Sequence, residues 1–168
     1  LSNQEKISQQ QAFMEECLTL TGHAELKSKA RIKAVKEEIR GLELVRDYPA
    51  LALRYRELLD LGEENEEVYY YLTRHLLLTK QFNEAKVLLT KALGKFPKEA
   101  ALWLNLAHHH LLSDNFAEAK AIYQQYRGEK VAKKLRWEDA LAEDFRAFEA
   151  MNINSEGFAK IRKIIGIQ

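Results

Sequence analysis

Residues 66–99, EEVYYYLTRHLLLTKQFNEAKVLLTKALGKFPKE, and residues 100–133, AALWLNLAHHHLLSDNFAEAKAIYQQYRGEKVAK, superpose without a gap at a period of 34. Tyr69 falls on Trp103, Leu72 on Leu106, Thr73 on Ala107, Phe82 on Phe116, Ala85 on Ala119 and Leu89 on Tyr123, while Asn83-Glu84-Ala85-Lys86 returns as Ala117-Glu118-Ala119-Lys120. Large, small and aromatic positions therefore recur together. Within each copy the apolar residues are spaced by three and four, the period of a helix buried along one face. Each copy reads as a helix-turn-helix unit in which a large aromatic early in the first helix wedges against its neighbours. Ala85 and Ala119 let two helices approach closely, and Phe82 and Phe116 cover the junction just past the turn. Pro97 ends the second helix by withholding a backbone donor. Such a unit cannot bury its apolar face alone and has to stack on others.

The pattern resembles the tetratricopeptide repeat, with Tyr69, Leu72, Thr73, Ala85, Leu89, Ala92 and Pro97 in one copy and Trp103, Leu106, Ala107, Ala119 and Tyr123 in the next. The second copy departs from it at His110, Tyr126 and Val131, which predicts that its second helix ends or packs differently. The resemblance implies an all-α fold: a right-handed superhelical solenoid of antiparallel helix pairs, with flanking N- and C-terminal helices.

Working outward, Tyr48 and Tyr55 stand one period before Phe82 and Leu89, and Trp137 one period after Trp103. We therefore divide the chain into an N-terminal helical segment (1–30), a degenerate unit (31–65), two full units (66–99 and 100–133) and a modified repeat or capping helix pair (134–168). The periodicity predicts helices near 4–20, 25–46, 49–61, 66–79, 82–94, 99–112, 116–127, 132–151 and 155–165, and no stretch alternates as a strand does.

Composition narrows the function. Of the 168 residues, 46% are hydrophobic and 30% charged, as in ordinary globular domains, and 26 basic residues nearly cancel 25 acidic ones. No overall field draws in nucleic acid, which is not an expected partner. No apolar run approaches the roughly 20 residues of a membrane-spanning helix, so no membrane insertion is expected. Cys17 is the lone cysteine. It allows no internal disulfide and suits a reducing, cytoplasmic compartment. The chain begins at Leu1 rather than Met, which we read as the start of an excised or processed product.

Nothing in the sequence reads as a catalytic centre, and no cofactor or metal is expected. His108, His109 and His110 point about 100° apart on a helix and do not converge on one ion. The simplest reading packs His110 inside and leaves His108 and His109 facing solvent or a groove. Cys17 follows Glu15 and Glu16, whose charge disfavours a thiolate. Glu63, Glu64, Glu66 and Glu67 read as an acidic turn favouring the positive end of the following helix.

The resemblance points instead to another protein as partner. In tetratricopeptide-like stacks, the faces of the first helices that turn away from their own second helices line a concave groove. Here these positions are Glu67, Tyr70, Tyr71 and Arg74, then Ala101, Leu104, Asn105 and His108. Tyr70, Tyr71 and Leu104 offer apolar contact, Arg74 a charged donor, and Asn105 a donor-acceptor pair for a peptide backbone. Lying opposite the wedge residues, they are expected to be free for recognition, the alternative being that the N-terminal helix or the C-terminal pair covers part of this surface. Glu138 and Asp139 near Trp137 argue against a clamp for an acidic peptide tail. A rival surface is the basic cluster Arg127, Lys130, Lys133, Lys134 and Arg136. The expected function is a non-enzymatic adaptor or scaffold that holds a peptide or helix of a partner. The alternatives are a secretion-type chaperone that holds an unfolded client, or a self-associating module.

Overall fold

The computed structural model describes residues 1–132 and 135–168. Eight helices follow one another: α1 (Asn3–Val45), α2 (Tyr48–Asp60), α3 (Glu66–Leu78), α4 (Phe82–Lys95), α5 (Ala100–Leu112), α6 (Phe116–Gln125), α7 (Trp137–Ala150) and α8 (Glu156–Ile165). No strand is present among the described residues, where the one β-type contact is an isolated bridge between Lys130 and Arg136. The all-α repeat fold is as the sequence indicated.

The repeat is visible in the backbone. α2, α4 and α6 start at Tyr48, Phe82 and Phe116, and α3 and α5 at Glu66 and Ala100, each set at the sequence period. Every turn from a first to a second helix passes through one left-handed residue: Arg46 (φ 54°), Lys80 (φ 62°), Asp114 (φ 61°) and Asn152 (φ 57°). The residue after it then donates to a carbonyl five positions back. These bonds run from Asp47 to Leu42 (3.1 Å), Gln81 to Leu76 (2.8 Å), Asn115 to His110 (2.8 Å) and Ile153 to Phe148 (2.9 Å). This closure satisfies orphan carbonyls at the helix end, and it makes α7–α8 a fourth hairpin of the same kind. Side-chain caps begin α2 and α3, where the Asp47 carboxylate accepts from Ala50 N–H (3.1 Å) and the Asn65 amide oxygen from Val68 N–H (3.0 Å).

The core lies between stacked hairpins. Tyr69, Leu72, Leu89, Ala85, Ala119, Ala107 and Tyr123, the positions that repeat in the sequence, are all fully buried. Their small members allow helix backbones to approach closely, and their large members fill the space between layers.

Three elements differ from the expectation. The two helices predicted at 4–20 and 25–46 are one 43-residue helix. Gly22 weakens it without breaking it, and the hydroxyls of Thr19 and Thr21 bond back to the Glu15 and Cys17 carbonyls of the same helix. α1 packs on the body only in its last turns, through Val35 and Ile39. Second, α6 has 10 residues against 14 in α4, because Tyr126 leaves the helix to lie between Trp103 and Trp137, with ring centroids 5.9 and 5.3 Å away. Third, the predicted helix 132–151 starts only at Trp137. Val131 N–H bonds to Leu135 C=O (2.8 Å) and Trp137 N–H to Glu129 C=O (2.8 Å), so Ala132, Leu135 and Arg136 lie outside the helix. Trp137 thus opens its helix, whereas Trp103 sits one turn inside α5. α7 consequently enters in a shifted register.

Ala85→Leu or Ala119→Leu should cost roughly 1–3 kcal/mol by overpacking a close helix contact. Val87, on the same helix as Ala85 and 68% exposed, supplies the control: Val87→Lys should be nearly neutral in urea denaturation.

Candidate partner-binding groove

Of the two alternatives for the first-helix faces, open or covered by flanking helices, part of the face is covered, by α7. Asp144, in the middle of α7 and almost fully buried, accepts from Arg74 Nε of α3 at 2.7 Å through one carboxylate oxygen. Through the other it meets His108 Nε2 of α5 at 2.9 Å. His108 Nδ1 lies 2.6 Å from the Tyr123 hydroxyl. Burial and the charge of Asp144 keep that phenol in its neutral form, so it has a proton to donate. The bonding pattern then assigns the imidazole proton to Nε2, where it donates to Asp144. Burial pushes the Asp144 carboxyl up, but the Arg74 guanidinium and His108 outweigh it and hold it below its usual value. Phe145 and Phe148 of α7 pack on the His108 ring, with centroids 5.7 and 5.2 Å away.

This arrangement places the expected groove residues in two groups. Leu104, Asn105 and His108 are buried, as are Tyr70 and Ala101. Asn105 Nδ2 donates to the Tyr70 carbonyl and to Thr73 Oγ1, both at 2.9 Å, which ties α5 to α3. Asn105, His108 and Arg74 therefore hold helices together, contrary to the expectation that they stand free of the stacking. The residues of this set that remain within reach of solvent are Glu67, which is exposed, and Tyr71 and Arg74, which are half-buried. His108 is the buried histidine, whereas His110, expected inside, is half-buried like its neighbour His109. Among the described residues no three His, Cys, Asp or Glu side chains are grouped as a metal site. Of the Asp144–His108–Tyr123 series, His108 and Tyr123 are buried in the core and Asp144 borders a cleft on the concave face.

The concave face keeps a cleft of about 270 Å³ between α7 on one side and α1, α2 and α3 on the other, and a smaller hollow of about 200 Å³ bordered by Glu67, Tyr70 and Ala101. Tyr48, Tyr70 and Tyr71 line it together with Arg74 and His75, and Glu43, Arg46 and Glu143 form part of its wall. His75 stacks against Tyr48, Tyr55 and Tyr71 at centroid distances of 5.8, 5.5 and 6.3 Å. Tyr48 and Glu143 were not among the expected groove residues. Tyr48 was legible as a repeat position, but Glu143 reaches the cleft only because α7 folds across the concave face.

The basic surface is partly committed as well. Arg127 donates to the Ile165 carbonyl at the end of α8 (3.1 Å), while Lys130 and Arg136 are exposed at the bridge of the loop. Lys133 and Lys134 lie outside the described residues.

Residues 76–143, from the last turn of α3 to the middle of α7, match the family model described as tetratricopeptide repeat. These residues carry the tetratricopeptide-repeat pattern. No curated protein and no solved structure matches it. Tetratricopeptide repeats are modules of protein–protein interaction, and among the described residues no helix is long and apolar enough to cross a membrane.

His75 gives the fold a defined acid sensitivity. Burial, aided by Arg74, pulls its pKa down to about 3. In the unfolded chain it takes a proton below about pH 6.5, whereas in the fold it stays neutral. The unfolded state therefore binds more protons between these values. Stability is full above about 6.5 and declines by about 1.4 kcal/mol per pH unit as pH falls toward 3. Between pH 7 and pH 5 the parent should lose about 2 kcal/mol more unfolding free energy than His75→Phe, which keeps the stack and does not titrate. Urea titrations at the two pH values measure the difference.

Proposed function

We propose that this repeat protein is a non-enzymatic adaptor that holds a segment of a partner protein in the tyrosine-lined cleft between α7 and the concave ends of α1, α2 and α3. The observation that carries this reading is the cleft itself. α7 covers the α5 part of the concave face but leaves Tyr48, Tyr71 and Arg74 around a hollow with acidic groups at its edge. Tyrosine and arginine are the side chains that contribute most at protein interfaces, because each combines a large contact area with a polar end. A cleft of this size takes one or two side chains of a partner rather than a whole helix. Recognition would then centre on an anchor residue, with the exposed Glu67 contributing at the rim.

The test uses the full chain as bait in its own host. A Tyr71→Ala/Glu143→Ala variant alters the cleft without touching the Asp144 contacts; it should keep the parent's helicity with a lower melting midpoint from the lost Tyr71 stacking, and recovery is compared well below that midpoint. It should recover at least about tenfold less of the partner than the parent does, the equivalent of about 1.4 kcal/mol. Lys130→Glu/Arg136→Glu should recover it normally. Loss of the partner with the second variant and not the first would move recognition to the basic loop.

A further inference from the structure

Three hollows on the concave side run together. The tyrosine-lined cleft shares Glu43 and Tyr71 with a hollow of about 320 Å³ between α1, α2 and α3, and Tyr70 and Ala132 with the hollow of about 200 Å³ beside the start of α5. Glu67 borders both side hollows. Of the acids along them, Asp144 is paired with Arg74 and Glu63 with Lys36. Glu43, Glu66, Glu67, Glu99 and Glu143 form no ion pair among the described residues. The bases on the same walls without such a pair are Arg40 and Arg46. Burial holds His75 neutral, its pKa pulled down to about 3, so it adds no positive charge. Acid is thus concentrated here in a chain whose net charge is +1.

The fields of these acids overlap. Burial raises the Tyr71 phenol, and the charges of Glu67, Glu43 and Glu143 raise it further against Arg74. Burial and the charge of Glu66 raise the Glu99 carboxyl. Carboxylates gathered in this way repel one another, and a cation placed among them relieves the repulsion. The aromatic walls favour the same ligand. Tyr55 stacks on Tyr71 at 5.3 Å and 18°, and Tyr48 on His75 at 5.8 Å and 24°, so the ring faces lie nearly parallel. A guanidinium is planar, stacks on such faces and gives up its hydration more easily than an ammonium. Its several N–H donors also reach more than one carboxylate. We propose that the partner residue anchored in the cleft is an arginine, carried in a segment with further basic residues to either side. This rests on the cleft being the site of recognition.

The arginine stands between Glu43 of α1 and Glu143 of α7, which lie on the two sides of the cleft. Flanking basic side chains reach the two side hollows, where Glu67 serves both. Other anchors fit less well. An acidic one would sit beside Glu43 and Glu143, while the Arg74 charge is already met by Asp144. An apolar one would take water from the carboxylates and supply no counter-charge.

Short capped peptides with lysine at both ends and arginine, citrulline, lysine, leucine or glutamate at the centre test this when titrated into the isotope-labelled full chain. The arginine peptide should shift the amide signals of Tyr48, Tyr71, His75 and Glu143 to saturation, and bind at least about tenfold more tightly than its neutral citrulline isostere. Glu43→Gln/Glu143→Gln, which keeps an acceptor for the Tyr55 hydroxyl, should lose at least about tenfold. Glu118→Gln on α6, outside the hollows, should leave binding unchanged. A leucine, glutamate or lysine peptide that saturates the same signals as tightly overturns the arginine anchor and leaves the cleft as the site. Arginine binding that survives Glu43→Gln/Glu143→Gln, or that shifts only signals outside the hollows, overturns the proposal. So does a peptide bound only after Lys133→Ser/Lys134→Ser, which would mean that the chain's own lysines already answer the acids. No saturable shift with the arginine peptide overturns it too, and the adaptor reading then stands or falls on capture of the host partner by the parent and the Tyr71→Ala/Glu143→Ala variant.

Discussion

A single buried carboxylate organises the concave side of this protein. Asp144 takes one bond from Arg74 of α3 and one from His108 of α5, and these two residues occupy the same place in successive repeats. A charge at this depth is tolerated only when it is paired and hydrogen-bonded, and removing a partner would leave it stranded at a cost of about 3–5 kcal/mol. The pairing fixes where α7 crosses the stack. Phe145 and Phe148 are thereby pressed onto the His108 ring, and α8 is carried back against α6. The cleft, the buried half of the expected groove and the shape of the C-terminal end all follow from the position of α7.

The repeats were legible because their determinants are local. Period, small residues at close contacts and aromatics at the turn recur in the chain, and the left-handed turn residues Arg46, Lys80 and Asp114 recur with them. The placement of α7 was not legible in the same way, since it depends on side chains far apart in sequence: Arg74 and Asp144 are separated by 70 residues. One local signal was present nonetheless. Asp144 stands within the stripe formed by Ala140, Leu141, Phe145 and Phe148, all buried. An acid in such a stripe calls for a buried cationic partner. Arg74, with its guanidinium on a first-helix face, was the matching donor, and the sequence reading assigned it to a ligand instead. The unbroken α1 was missed for a different reason. Thr19, Thr21, Gly22 and His23 have the composition of a turn, but without proline none of them forbids the helix.

Two surfaces of different character emerge. The cleft is small, aromatic and preformed by the stack, which suits the capture of a few side chains. The first half of α1 stands off the body and leaves Ile7, Phe13, Met14, Leu18, Leu20 and Leu26 exposed. They lie on different parts of the molecule, one between α7 and the concave ends of α1, α2 and α3, the other beyond the body.

Native-state hydrogen exchange measures directly whether α7 is an integral part of the concave face. If Asp144 fixes α7 there, the amides of Leu141–Phe148 exchange only by global unfolding, with the same free energy as those of Leu104–His108 in α5. Exchange of the α7 amides through a local opening far below the global free energy would contradict the account, and would mean that the repeats present an open groove over which α7 rests only part of the time.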